Sequence, residues 1–124
     1  MIARPSRKEL NNKIREAGKA IADGRIEIVE AQVVAADALD LDYDIETELV
    51  RILLQIFKHI SPEHYRGSRP PQRSYETEIS GLDLFAFAVK VSRFHGVVYI
   101  KFALADDTFW LVSLHKDRPA KGGV

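Results

Sequence analysis

The sequence predicts an α+β fold, with N-terminal helices packed on a C-terminal antiparallel β-sheet. Three observations carry that reading. Apolar residues recur at helical spacing as far as Ile60, then alternate with a period of two between about residues 74 and 116. Pro62, Gly67, Pro70 and Pro71 crowd the stretch between, and mark it as a loop. A chain of 124 residues is long enough for one domain and short for two. The expected organisation is a single domain over 1–124, with a helical half at about 6–60, a sheet at about 74–116 and a frayed tail over 119–124.

The elements follow in order. Ser6-Arg7-Lys8-Glu9 has the form of a capping box, in which Ser6 and Glu9 satisfy each other's free backbone donors. Leu10, Ile14, Ala17 and Ile21 then share one helix face, and Asp23-Gly24 supplies the stop. Arg25 to Val29 alternates and reads as a short strand. Glu30 to Asp40 is Ala-rich and reads as a second helix. Asp42 or Asp44 can cap a third, running to about Ile60 on a buried stripe of Ile45, Leu49, Ile52, Leu53, Ile56 and Ile60. Strands are expected near Ser74–Ile79, Leu84–Val91, Val97–Leu104 and Thr108–Lys116, with turns at Ser80-Gly81, Arg93–Gly96 and Ala105–Asp107.

Composition narrows the function. With no cysteine, the chain offers no disulfide scaffold, thiolate zinc site or Cys nucleophile. Met1 to Arg7 is polar and lacks the apolar core of a signal peptide, and no apolar run approaches the ~20 residues that span a bilayer. A cytoplasmic protein without membrane association is expected. A formal net charge of zero argues against a general polyanion binder. The charge is unevenly spread, however. Every charged residue from Glu30 to Glu48 is acidic, and every one from Arg66 to Arg73 is basic. The acidic stretch reads as a solvated surface. The basic loop, next to His64 and Tyr65, is better placed to contact phosphate.

Alternation also suggests a register. A four-residue loop at Arg93–Gly96 sets Val91, Val89, Phe87 and Phe85 opposite Val98, Ile100, Phe102 and Leu104. A three-residue loop at Ala105–Asp107 sets Trp110, Val112 and Leu114 opposite Phe102, Ile100 and Val98. The result is one apolar face for the helices to cover. The other face then collects Lys90, Tyr99, Lys101, Ser113 and His115. Tyr99 falls between Lys90 and Ser113, His115 opposite Val97, and Lys101 opposite Leu111. An ordinary solvated face is the bland reading. A cation, a phenol and an imidazole within a few strand spacings of ~4.8 Å also suit phosphate chemistry. The four histidines fall on different elements and none pair at metal-ligand spacing, so neither a metal nor a cofactor is expected.

The order of these parts, and several short motifs, resemble the MqsR-type mRNA interferase toxins, relatives of the RelE-like ribonuclease fold. Ala36-Asp37-Ala38-Leu39-Asp40-Leu41-Asp42-Tyr43-Asp44 is similar to the family's A-D-x-L-x-L-D-aromatic-D stretch. Glu63-His64-Tyr65-Arg66 resembles its acidic-aromatic-Tyr-Lys segment, and Val98-Tyr99-Ile100-Lys101 its V-Y-L-K strand. Val112-Ser113-Leu114-His115 resembles its V-S-F followed by Lys or His. The likeness spans roughly Arg25 to Lys116. A family Gln expected before the strand Tyr would fall among Phe85, Ala86 and Phe87, where this chain has no amide.

The resemblance implies a toxin that cleaves single-stranded mRNA without a metal and is held by a cognate antitoxin protein. Its functional residues fall on Arg66, Tyr99 and His115, expected to be catalytic. Lys90, Lys101, His64, Tyr65, Arg69, Ser113 and Lys116 are expected to bind substrate. Histidine suits general acid–base work because its ordinary pKa of roughly 6.5 lies near working pH. Arginine offers a fork of donors to the phosphorane charge, and Tyr99 can orient the phosphate or stack on a base. The alternative is a non-catalytic domain that binds protein or RNA on the open sheet face.

Overall fold

Ser6 opens the first helix, as its sequence requires. Its hydroxyl accepts the Glu9 amide at 3.0 Å and starts α1 (Arg7–Ala22). The expected capping box closes on one side only, because Glu9 turns its carboxylate to Arg4. Gly24, at φ 74°, ends the helix in the left-handed conformation that glycine adopts without strain. The computed structural model describes residues 4–117, so the expected tail at 119–124 lies outside the described residues.

β1 (Ile26–Ile28) and α2 (Ala31–Leu41) follow. Asp42 ends α2 at φ 60°, and Asp44 caps α3 (Ile45–His59). Of the two candidate caps, Asp44 is the one used: it accepts the Glu46 and Thr47 amides at 2.9 and 3.2 Å. Glu48 returns to the Asp44 amide at 3.0 Å. Leu49, Ile52, Leu53 and Ile56 form the buried stripe of α3, which packs on the sheet.

Three helices thus cover a four-stranded sheet, and the expected α+β class holds. The sheet runs β1-β4-β3-β2, from β2 (Phe85–Val91), β3 (Gly96–Ala105) and β4 (Thr108–Lys116). It is mixed rather than purely antiparallel, because β1 lies parallel to β4. Local alternation marks a strand but cannot name so distant a partner. The strand expected at Ser74–Ile79 does not form. The outer edge of β2 is already occupied: Tyr65 bridges to Phe87, and the Arg66 amide donates to the Ala86 carbonyl at 2.8 Å. The segment folds instead as a loop with a short turn at Thr77–Ile79.

On the helix side, Phe102 anchors an aromatic cluster, its ring centroid 5.0–6.2 Å from those of Phe57, Phe85, Phe87 and Phe109. Truncating such a residue costs about 3–5 kcal/mol. β2 and β3 keep their expected faces but slide by two: Phe85, Phe87 and Val89 oppose Phe102, Ile100 and Val98. The connecting loop starts one residue earlier than expected, at Ser92, and ends on His95 at φ 57°.

The β3–β4 connection differs more. It is a two-residue turn, with Asp106 and Asp107 at φ 51° and 61° and Ala105 paired to Thr108. Positive φ at both positions matches the right-handed twist of the flanking strands. Phe109 and Leu111 therefore face the helices, where Trp110 and Val112 were expected. A β-bulge then shifts the register between Lys101 and Phe102, and Leu114 returns to the core. Trp110 and Val112 instead join Val29, Ile79 and Ala103 in a second, smaller cluster. Among the described residues no helix is long and apolar enough to cross a membrane.

Candidate functional site

The smaller cluster covers one end of the sheet's outer face, through Ile79, Leu82 and Leu84. The other end stays open. There the actual register tightens the expected constellation. Tyr99 lies directly opposite His115 instead of Ser113, and their rings stack with centroids 5.0 Å apart and planes 15° from parallel. Lys101 lies opposite Ser113 rather than Leu111, and Lys90 opposite Val97 rather than Tyr99. Ala88 and Ala86, opposite Tyr99 and Lys101, leave the phenol and ammonium without bulky neighbours on β2.

His115 Nδ1 lies 2.7 Å from the Lys116 carbonyl oxygen. That oxygen only accepts, so Nδ1 carries the hydrogen and Nε2 is the basic nitrogen of the neutral ring. Burial pushes the Tyr99 phenol above its ordinary pKa; Arg66 partly offsets this, and Asp117 adds a smaller push. At neutral pH Tyr99 is therefore a hydroxyl donor.

The basic loop splits between the two sides of the sheet. Tyr65 and Arg66 are neighbours on an extended segment and point opposite ways. Tyr65 packs edge-on against Phe87 at 5.6 Å and donates to the Ser68 carbonyl at 2.6 Å. A Cβ on Gly67 would collide with that hydroxyl, which is why the position is glycine. Arg69 lies 5.0 Å over the Tyr65 ring and donates to the Pro5 carbonyl at 3.0 Å. His64 accepts the Ser61 amide on Nδ1 at 3.0 Å and so closes its own short turn. These three residues tie the loop down rather than face the open surface. Lys116 lies opposite Val98, on the helix side, and shares a hollow with Asp40, Arg93 and His95. The structure does not bring these four to the Tyr99–His115 pair.

Arg66 does reach it. Its guanidinium pairs with Asp117 at 2.8 Å, across the strand end that carries His115. With Gln72, Tyr99 and Lys101 it lines a shallow concavity of about 180 Å³. That is smaller than the ~300–1,000 Å³ typical of small-molecule pockets, and suits a phosphate group or a passing strand better. Compared with known proteins, the chain matches no family model and no curated sequence.

Sequence reasoning missed two residues here. Asp117 follows the last strand and carries no motif. Gln72 sits in the loop, where alternation gives no information. The buried Pro71 precedes it, and its own carbonyl accepts the Leu84 amide at 2.7 Å, which holds its backbone at the rim while the side chain stays exposed. The site thus offers an amide donor from the loop, although β2 supplies none.

Proposed function

We propose that this chain is a metal-independent endoribonuclease acting on single-stranded mRNA, the toxin of an MqsR-type toxin–antitoxin pair. It would work in the cytoplasm under the control of a protein antitoxin. The supporting observation is the stacked Tyr99–His115 pair beside Arg66 on an open sheet face. Neutral His115 accepts the ribose 2′-hydroxyl proton on Nε2 as that oxygen attacks the adjacent phosphorus. The P–O5′ bond breaks, and the leaving oxygen takes a proton from solvent water, leaving a 2′,3′-cyclic phosphate and a 5′-hydroxyl. His115 then returns its proton to the resulting hydroxide. Arg66 and Lys101 stabilise the phosphorane charge, Tyr99 and Gln72 donate to its oxygens, and Lys90 and Ser113 extend the contact along the strand.

The Arg66–Asp117 ion pair favours a second reading, because it neutralises the cation that a phosphate would need. On that reading the face binds RNA or protein without cutting. One experiment separates the two. Purified protein, free of any co-expressed partner, is mixed with single-stranded RNA in EDTA, alone and with translating ribosomes. The nuclease reading expects fragments ending in 2′,3′-cyclic phosphate. Intact RNA in both mixtures at high protein excess rejects it in favour of binding alone.

A further inference from the structure

α2 is apolar around most of its circumference. Eight of its eleven residues are Ala, Val or Leu, yet only Val34, Ala38 and Leu41 are buried. Helices apolar on both faces normally bury both. Here the second face, with Ala35, Ala36 and Leu39, lines an open groove of about 720 Å³. Leu39 is 83% exposed at its edge. The far wall is the start of α3, with Ile45 and Glu46.

Two further features bear on what fills it. The charged residues lining the groove are all acidic, and Glu46 and Asp42 stand at an exposed rim. The polypeptide between Glu30 and Glu48 carries no positive charge. Arg93, from the β2–β3 loop, pairs with Glu48 at 3.2 Å, so Asp42 and Glu46 are the carboxylates offered to an occupant. Tyr43 also lines the groove, 7% exposed. Its hydroxyl is sealed from solvent beneath the groove floor and finds no hydrogen-bond partner among the described residues, so an occupant reaches it only if the ring moves. Native structures rarely leave such a group unmet.

We infer that the groove between α2 and α3 docks a basic, amphipathic segment of a partner protein. Its apolar ridge lies against Leu39, Ala35 and Ile45, and its lysines or arginines face Asp42 and Glu46. This is helix-in-groove recognition, with charge setting which segments are accepted. RNA is disfavoured because its phosphates would meet carboxylates. The groove lies in the helical layer, on the other side of the sheet from Tyr99 and His115, so the inference does not depend on nuclease activity.

The test titrates isotopically labelled protein with a synthetic amphipathic Leu/Lys peptide, and separately with a Leu/Glu peptide of the same pattern. The Leu/Lys peptide should shift amide resonances within residues 35–48, and the Leu/Glu peptide should not bind. Leu39→Ser and Glu46→Lys should each weaken binding at least tenfold while the protein stays folded, since both side chains are exposed. Glu46→Lys should lower the thermal melt slightly, because it places a cation in the first turn of α3. Shifts confined to the Tyr99 face, equal binding of the acidic peptide, or unaltered affinity in both variants would overturn the inference. So would a concentration-dependent dimer that Leu39→Ser dissolves, since the occupant would then be a second copy of the chain.

Discussion

Tyr99 and His115 occupy directly opposed positions on β3 and β4, their rings parallel to within 15° and their centroids 5.0 Å apart. The stack fixes the imidazole plane, and the bond from Nδ1 to the Lys116 carbonyl fixes its rotation. Both constraints act before any substrate arrives. A histidine held this way exposes one defined basic nitrogen.

His115→Ala tests that arrangement. Loss of a general base costs on the order of 10²–10⁴ in rate. The lost cross-strand pair costs about 1 kcal/mol or less, so the protein should remain folded. RNA cleavage and a thermal melt, run together, separate the effects. His95→Ala, in the β2–β3 loop, should leave the rate unchanged. A His115→Ala variant that cleaves at the parental rate, or that unfolds, makes His115 structural.

Asp117→Asn releases Arg66 from its ion pair while preserving shape. The pair is partly exposed, so its contribution to stability should be no more than about 1 kcal/mol. Affinity for a short single-stranded RNA should rise several-fold, and Arg66→Ala should lower it. Fluorescence anisotropy at fixed salt reads both. If Asp117→Asn binds no better, Asp117 does not mask the phosphate site.

Tyr43→Phe should stabilise the protein. The buried hydroxyl is unpartnered, and such a group costs about 1–3 kcal/mol. The effect should also depend on pH. Burial, helped by Asp37, pushes the Tyr43 phenol up from 10 to about 12. The unfolded chain therefore releases this proton first. The phenol's contribution is fully present below pH 10 and is lost as pH rises to about 12. Denaturant titrations across that range should show the decline in the parent and its reduction in Tyr43→Phe.

Asp107→Gly should raise stability by roughly 0.5–1 kcal/mol. Both turn residues have positive φ, and glycine at the second position removes the strain a Cβ incurs there. The pair to Arg25 that would be lost is long, at 3.9 Å, and exposed. Chemical denaturation is sufficient to measure the change.

This turn also marks where sequence reading stopped working. Alternation in Val98, Ile100 and Phe102 placed β3 correctly, and Tyr99 was legible on the open face for that reason alone. Nothing local distinguishes a three-residue loop at Ala105–Asp107 from a two-residue turn that leaves Ala105 paired. Phe109 and Trp110 are both apolar, so either can pass for the buried residue. The bulge carries no glycine to announce it. In the basic loop, Arg66, Arg69, His64 and Tyr65 are all chemically plausible ligands. Only the bridge to Phe87, invisible in the chain itself, decides that Arg66 faces outward while its neighbours serve as anchors.

The bulge has a consequence for how this strand can change. From the turn to Leu111, β4 runs in one phase; beyond it, the strand runs in the other. A continuous ladder from the same turn would set His115 opposite Val98, against the helices, and push Leu114 out beside Tyr99. Smoothing the bulge with every residue kept would therefore exchange the two sides, burying an imidazole and exposing a leucine. Deleting Val112, the residue the ladder skips, would instead leave His115 opposite Tyr99 and Leu114 in the core. Lengthening the turn by one residue would restore His115 but turn Phe109 and Leu111 out to solvent. The hydrophobic half and the chemical half of β4 obey opposite parities. One unpaired residue is what allows a single strand to satisfy both.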